Sequence, residues 1–502
     1  MIVSQCILHS APVVAGASKD YNDFVCLLEN IDDILDKTGA EKRLIELALS
    51  AADPKNKKKQ GWIDRFRCYV RFEIRCNLLR RLQDMDYRAF SVQASDSQAI
   101  QWFINRGQIE GFIGELSGKG LSKSSLARYD KLVSAEDVGA VVREVCAKVS
   151  SPGWAGKMPG WDHPVSVRDI WVDCTCLESN IHFPVDWILL RDAVQTLVLS
   201  IKCMRRHGLR YRIKDPSLFL REINQLCMEM AALSRKKDSA KKRKRVLREM
   251  KRLVECVERH AVRYRDLLVK TRTKRTNFSE AEAAQVLARI ANVLDQLPAA
   301  IKQAENRIIR GLKIEDAGKI LSLYERNNHV IVRGKAGGDV EFGNTLYIAE
   351  SIDGLIVDFK YYRDRAPADC DMVKESLERC TKAYGGIGSM TGDRAFDSPD
   401  VTTLLSEEEV TNYILKRSPR LMAEAFEDPA FRTAQRRRAQ TEGRIGILKN
   451  VFIGDCLSGK GFENQEIEVA WSILVHNFWV LGRMAQANAQ AIELPDKGKK
   501  TA

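Results

Sequence analysis

The chain has 502 residues, of which 80 are Lys or Arg and 67 are Asp or Glu, so its formal net charge is +13 at pH 7. This length gives room for two to four domains and a large hydrophobic core, which excludes a marginal mini-protein. No uninterrupted apolar run approaches the ~18 residues that span a bilayer, which argues against an integral membrane protein, and the positive excess indicates a polyanionic partner.

The N-terminal third is predicted to be helical, from about residue 20 to residue 150, with a Lys-rich loop at residues 55–59. Ser122 is placed to cap a candidate DNA-reading helix on which Lys123, Ser125 and Arg128 stay polar. An ordinary surface helix explains the same pattern. The segment 151–166, rich in Gly, Pro and Trp, is predicted to be a linker or an ordered crossing loop.

Strand patterns flank a second helical region. The β-branched, apolar run that begins at Val167 predicts a buried strand, and helical periodicity then continues from about Trp187 to Arg310. Further strands are predicted in HVIVRG, DVEFGNTLYIAES and GLIVDFKYYRD, around Ile387 to Thr391, and from Asn412. The last 60 or so residues are predicted to be helical up to a disordered tail.

This order of elements predicts an α/β fold in which a mixed sheet carries a large inserted helical domain. The predicted divisions are a helical N-terminal region for DNA binding or dimerisation at 1–165, a sheet domain at 166–187 and 325–485, a basic helical insertion at 188–324, and a disordered tail at 486–502. The 13 cysteines are scattered without metal-binding spacing, so we expect free thiols. The N-terminus carries no basic residue ahead of its apolar stretch, which favours a cytoplasmic location.

Positive charge is concentrated in one segment. Residues 235–275 contain 18 Lys or Arg against 5 Asp or Glu, while the rest of the chain balances at 62 of each. Apolar residues recur there at steps of three and four, which predicts a long helix with one buried stripe; they are Met250, Leu253, Val254, Val257, Ala261, Tyr264 and Leu268. The cationic face predicts salt-sensitive contact with nucleic-acid phosphates, above all through Lys241, Lys242, Arg243, Lys244 and Arg245. A solvated helix face is the alternative.

Three acidic residues are candidates for chemistry. Asp173 lies within a predicted buried strand, Asp393 follows a short strand, and Glu442 lies on a predicted helix between Arg438 and Lys449. On an ideal helix these last three side chains lie within about 60° of one another. Such carboxylates suit two Mg²⁺ ions that act on phosphodiesters, with the cations holding the DNA strand. The alternative is a buried hydrogen-bonded Asp173, a turn-forming Asp393 and a surface ion pair between Glu442 and Arg438.

Four segments in this order are similar to those of bacterial insertion-sequence transposases of the DDE type, with the closest resemblance to the ISNCY-like group. They are VDCTCLESNIHFPVDWILLRDAV, the strand pair HVIVRGKAGGDVEFGNTLYIAES with GLIVDFKYYRDRAPAD, GDRAFDS, and the helix carrying Arg438, Glu442 and Lys449. The similarity covers about residues 167–485. The family's Tyr-Arg-Glu-Lys signature has Gln435 in place of its tyrosine, and Ala395 replaces the usual glycine.

The resemblance implies an RNase H-like catalytic domain in which Asp173, Asp393 and Glu442 bind two Mg²⁺ (or Mn²⁺) ions. It further implies hydrolysis at transposon ends and attack of the freed 3′-hydroxyl on target DNA. The implied partners are double-stranded terminal inverted repeats, target DNA and a second copy of the chain, in a dimer or a larger synaptic complex on the bacterial nucleoid. A transposase-derived DNA-binding protein that has lost catalysis is the alternative. A glycosidase is disfavoured, because a neutral sugar gives the cationic helix no role.

Overall fold

The computed structural model describes residues 10–52, 60–106, 121–158, 161–213, 215–335 and 338–493. They form a mixed α/β structure, as predicted, with one open sheet and many helices. The chain divides into a first compact unit, 1–177 with 345–502, and a second unit, 178–344. The functional division into domains remains a prediction, and the Lys-rich loop at 55–59 lies outside the described residues. Within the described ranges, no helix has the length and apolar character needed to cross a bilayer.

The first unit begins with helices, as the periodicity predicts. They are α1 (Lys19–Thr38), α2 (Ala40–Ala51), α3 (Gln60–Leu82), α4 (Tyr87–Asp96), α5 (Gln98–Asn105), α6 (Lys123–Tyr129) and α7 (Ala135–Val149). Ser122 caps α6 by accepting a hydrogen bond from the Ser125 amide at 3.2 Å, which confirms the predicted helix start. The expected polar face is wrong at Ser125: its side chain is buried, where its hydroxyl accepts hydrogen bonds of 2.9 Å from Ser122 and 3.1 Å from Arg128.

The sheet combines parallel and antiparallel pairs. Its strands are β1 (Asp169–Glu178), β2 (His329–Lys335), β3 (Gly338–Ser351), β4 (Ile356–Tyr361), β5 (Ser389–Thr391) and β6 (Thr411–Asn412). In the first unit the order is β4-β3-β1-β5-β6, with β5 parallel to both β1 and β6 and with β3 antiparallel to β4. The first half of β3 belongs to the second unit, where it pairs with β2.

The C-terminal helices cover this sheet. They are α12 (Asp369–Tyr384), α13 (Pro399–Glu407), α14 (Pro419–Ala425), α15 (Pro429–Ile447) and α16 (Phe462–Glu493), with a π-helical segment at Leu448–Ile453 between the last two. Buried Asn477 of α16 exchanges hydrogen bonds of 2.8 and 2.9 Å with the backbone of Ile356, so it satisfies polar groups on strand β4 that face no neighbouring strand. The helix continues to Glu493, and residues 494–502 of the predicted tail lie outside the described part.

The second unit is a bundle of four helices with its own hydrophobic core. They are α8 (Asp186–Arg206), α9 (Pro216–Ser234), α10 (Ala240–Arg275) and α11 (Glu280–Ala304). All seven residues of the predicted apolar stripe on α10 are buried, which confirms the long amphipathic helix. Burial of this stripe leaves the other sides of a strongly cationic helix to solvent. Every described cysteine is a free thiol, as expected.

Candidate active site

The pairing of β1 with β5 brings two of the candidate acids to the same end of the sheet. Asp169 lies opposite Ser389, Ile170 opposite Met390 and Trp171 opposite Thr391. The same offset, continued by two residues, sets Asp173 level with Asp393. Because the strands are parallel, both carboxylates lie towards the carboxyl ends of their strands, where active sites of open sheets are commonly found.

Helix α15 lies along β1 and carries the third acid. The Trp171 indole nitrogen donates a hydrogen bond of 2.9 Å to the Ala434 carbonyl on α15, and the Lys449 ammonium donates one of 3.0 Å to the Cys176 carbonyl on β1. These contacts lie on either side of Asp173 along the strand. Glu442 lies between Ala434 and Lys449 in the chain, so the helix passes beside Asp173 with Glu442 in its middle.

The expected helical geometry of the basic residues on this segment is partly wrong. The α-helix ends at Ile447, and Lys449 lies in the π-helical turn that follows it. A π-helix shifts hydrogen bonding from i+4 to i+5, so an angle calculated for a continuous α-helix does not hold for Lys449. Its ammonium group is bound to the β1 backbone, whereas Arg438 lies 3.5 Å from Glu442 as an i,i+4 ion pair.

Electrostatics links Asp173 to the other acids. Burial raises the pKa of Asp173 to about 6, against the lowering effect of a backbone hydrogen bond from Cys174. The negative charges of Asp393 and Glu442 raise this pKa further, and the positive charge of Arg438 lowers it. The site thus concentrates negative charge around a largely buried carboxyl group, which costs free energy unless a cation neutralises it.

Local structure fixes the position of Asp393. One of its carboxylate oxygens caps the next turn by accepting a hydrogen bond of 2.8 Å from the Ala395 amide. Just before it, a Cβ atom on Gly392 would approach a side-chain carbon of Val172 to 3.0 Å, so glycine permits the close packing of β5 against β1. The Leu415 amide holds the Gly392 carbonyl at 3.1 Å from the other side.

A buried ion pair that sequence reasoning missed anchors α15 to the sheet. Glu350 at the end of β3 is fully buried and receives two hydrogen bonds of 3.0 Å from the Arg437 guanidinium. Arg444, two turns further along, reaches it at 3.2 Å, and Arg437 stacks over the Trp171 ring with its guanidinium carbon 4.4 Å from the centroid. Burial raises the pKa of Glu350, but hydrogen bonds from Arg437 and Thr441 and both arginine charges bring it below its usual value.

The sequence did contain a signal for this pair. Glu350 is an ionisable residue at the end of an apolar strand, which is the same kind of feature that singled out Asp173. Arg437 is the middle residue of a run of three arginines. Gln435, at the position of the family's tyrosine, donates a hydrogen bond of 2.5 Å to the Tyr413 carbonyl and so helps to attach α15 beside β6.

The carboxylates fit divalent metal ions in chemistry but are not gathered into a finished ligand set. Carboxylate oxygens are ligands that Mg²⁺ prefers, and the cluster around Asp173 carries excess negative charge. Among the described residues, however, no three His, Cys, Asp or Glu side chains form a group that could hold a metal ion. Glu442 has a side chain that is 61% exposed and paired with Arg438, so it extends towards solvent.

The predicted DNA-binding cations of α10 lie at its start, in the second unit. Lys241, Lys242 and Arg245 are exposed, and Arg243 and Lys244 are half-buried. Arg245 is 3.1 Å from Glu229 and 3.7 Å from Glu249, so part of its charge is balanced within the bundle. This leaves Lys241 and Lys242 as the exposed cations of the group that form no ion pair with another described residue.

Comparison of the chain with protein-family models, with curated proteins and with solved structures finds no match.

Replacing Glu350 with Gln is expected to destabilise the protein by about 3–5 kcal/mol at pH 7, because it leaves buried Arg437 without its counter-charge. The lowered pKa of Glu350 means that the ion pair stabilises the fold above pH 4.5 and is lost as the pH falls below that value. Denaturant unfolding of both proteins at pH 7 and pH 4 measures this difference, which should shrink at the lower pH. Glu375→Gln, a change in an exposed pair, is the control; an equal effect there would contradict the assignment.

Replacing Asp173 with Asn is expected to raise the melting temperature by a few degrees at pH 8 without divalent cations. The pKa of Asp173 is raised to about 6, so the folded state becomes less stable as pH rises from about 4 through 6, by roughly 1–3 kcal/mol. Asparagine removes this penalty, and the two proteins should converge at pH 4. Exposed Asp364→Asn is the control, and an unchanged or lower melting temperature for Asp173→Asn would contradict the raised pKa of Asp173.

Proposed function

We propose that this protein is a DDE transposase of the insertion-sequence type with an RNase H-like catalytic domain. It binds the terminal inverted repeats of a mobile element, hydrolyses DNA at their ends and joins the freed 3′-hydroxyl to target DNA. The observation that carries the proposal is that β5 sets Asp393 level with Asp173 on β1, while helix α15 passes beside them with Glu442 near enough for its charge to raise the pKa of Asp173.

The sheet supports the proposal because its strand order gives each acid a separate support. Asp173 is carried by the central strand β1, Asp393 by the turn after its parallel neighbour β5, and Glu442 by a helix fixed against β1. Rigid elements hold such groups more accurately than loops do. The order of the motifs along the chain is also the order that the family resemblance implies.

Two Mg²⁺ (or Mn²⁺) ions, when bound by these carboxylates, would supply a nucleophile at neutral pH and stabilise the leaving oxygen of a phosphodiester. Asp173 and Asp393 each use one side-chain oxygen in a backbone hydrogen bond, at 2.7 Å from Cys174 and 2.8 Å from Ala395. Those bonds orient the carboxylates and leave a second oxygen on each for a ligand. Glu442 would complete the set by exchanging its contact with Arg438.

The nearby cations would then act on the DNA strand. Arg438 is close enough to Asp173 to lower its pKa, so a phosphate bound at the acids would also lie near this guanidinium. Lys449 contributes positive charge beside β1, although its ammonium group is bonded to the Cys176 carbonyl. Guanidinium and ammonium groups hold phosphates through charge-assisted hydrogen bonds. Helix α10 would add sequence-independent affinity through Lys241, Lys242, Arg243, Lys244 and Arg245.

A second copy of the chain and the bacterial nucleoid belong to the same proposal, since a synaptic complex holds two transposon ends. The alternative function is that of a transposase-derived DNA-binding protein without catalysis. The ion pair of Arg438 with Glu442 and the incomplete ligand group favour that alternative. The negative charges of Asp393 and Glu442 near Asp173 disfavour it, because a protein that only binds phosphates gains nothing from an anionic cluster.

Substituting any one acid, as Asp173→Asn, Asp393→Asn or Glu442→Gln, is expected to reduce Mg²⁺-dependent nicking of transposon-end DNA by at least about a hundredfold, since charge stabilisation at a reacting centre is of this order. Binding of the same DNA without metal should stay within about threefold. Nicking gels and fluorescence anisotropy give the two readouts. Exposed Glu407→Gln on α13 is the control, and nicking that survives in all three variants would rule out this catalytic site.

Substituting Lys241, Lys242, Arg243, Lys244 and Arg245 together with Ala is expected to weaken binding to any DNA duplex. The slope of log K against log salt should become shallower by up to about 4.5, or about 0.9 for each phosphate that the variant no longer neutralises. Anisotropy titrations at several salt concentrations measure this slope, and circular dichroism checks that the bundle stays helical. If slope and affinity are unchanged, α10 does not bind DNA through these residues.

A further inference from the structure

A second concentration of positive charge lies elsewhere in the helical unit, in a cleft between the end of α8 and the start of α9. The cleft has a volume of about 970 Å³, and Lys202, Arg205, Arg206 and Arg210 account for four of its lining residues; the others are Leu199, Asp215 and Pro216. Lys202, Arg205 and Arg206 occupy positions i, i+3 and i+4 of α8, so they share one face. Four cations thus surround one concave surface.

These cations differ from other cations of the same unit, which form close ion pairs with acids. Arg191, Arg265 and Lys251 each have a carboxylate oxygen within 3.0 Å. Within the described part of the chain, by contrast, none of the four cleft cations has an acidic oxygen within ion-pair distance. Asp215 uses its carboxylate to cap α9 through a 3.0 Å hydrogen bond from the Ser217 amide. It also lies near enough to Lys202 for that charge to lower its pKa, and Lys202 donates a hydrogen bond of 2.8 Å to the Ser217 hydroxyl. Asp215 thus offsets part of the charge, and the cleft keeps an excess of positive charge, which favours an external anion.

The surrounding structure holds the cleft in shape. The Tyr264 hydroxyl of α10, 3.5 Å from Arg205, bonds the backbone nitrogen and oxygen of Tyr211 at 3.2 and 3.1 Å, and so fixes the chain next to Arg210. Gly208 adopts a positive φ of 99°, and a Cβ atom there would lie 3.0 Å from the Arg275 carbonyl. A preformed charged surface loses little entropy when it binds.

We infer that this cleft is a second phosphate-binding site that grips the backbone of duplex DNA, independently of the basic residues 241–245. The inference rests on the proposed function for the identity of the polyanion. Lys202 and Arg206 are separated by about 6 Å of helix rise, so their side chains can contact two successive phosphates of one DNA strand. The open cleft is also much larger than a free phosphate needs. Tyr264, which borders the cleft on α10, is roughly 30 Å along the helix from Arg243, so the cleft is distant from residues 241–245.

The test uses Arg206→Ala with Arg210→Ala, because both side chains are exposed and neither makes a hydrogen bond with another described residue. The matched control is Arg191→Ala with Arg265→Ala, which removes two arginines that are already paired with acids. Binding of a fluorescein-labelled duplex of random sequence is measured by anisotropy from low to high salt with the full chain. We expect the cleft variant to bind roughly 10- to 60-fold more weakly near 100 mM salt, with a slope shallower by about 2.

The effect should add to that of neutralising residues 241–245, since distant sites contribute independently. Equal weakening in the control, or an unchanged slope in the cleft variant, would overturn the inference while leaving the proposed function intact. Failure of the unmodified protein to bind duplex DNA would count against the proposed function itself. A cleft variant that loses affinity for an RNA hairpin or for inorganic phosphate, but keeps its affinity for duplex DNA, would also overturn the assignment.

Discussion

The parallel pairing of β1 with β5 is the constraint on which the candidate site depends. Its register sets Asp173 level with Asp393, although two like charges would separate if the chain left them free. The apolar neighbours Ile170, Val172 and Met390 are buried, and their burial stabilises the pairing by several kcal/mol. The hydrophobic core therefore holds together an anionic pair that electrostatics alone would disperse. Burial in this core is the main reason that the pKa of Asp173 is raised, and the charge of Asp393 adds to the rise.

Helix α15 is fixed along its length, but the side chain of its central acid, Glu442, can move. Trp171 holds its first half through the Ala434 carbonyl, and Glu350 binds both Arg437 and Arg444 beneath it. These contacts restrain the backbone of the helix. Glu442 extends from the exposed side with only an i,i+4 ion pair, an interaction that is worth little in water. A ligand that binds the carboxylate more strongly can displace Arg438 without moving the helix.

Sequence reasoning predicted the buried residues correctly where apolar residues recur with a regular spacing. The stripe on α10 recurs over several turns, so each buried residue supports the next, and all seven predicted positions are buried. It failed where one local contact decides the outcome. Ser125 is polar yet buried, and the change to a π-helix that moves Lys449 leaves no mark in the residue types. Glu350 was missed, because its partner Arg437 lies 87 residues away and only the fold brings them together.

The positive charge of the chain and the acids around Asp173 lie in different segments of the sequence. Residues 235–275 carry the whole net charge of +13, and the remainder of the chain is balanced. The acids around Asp173 would by themselves repel a phosphodiester. Under the proposed function, affinity for DNA would therefore have to come from other surfaces, and the cationic helix and the cleft of the second unit carry the positive charge for it. Divalent cations would then convert the anionic cluster from a repulsive surface into a phosphate-binding one. If the proposed function holds, loss of metal would abolish chemistry and spare most of the binding, because the two properties would depend on different residues.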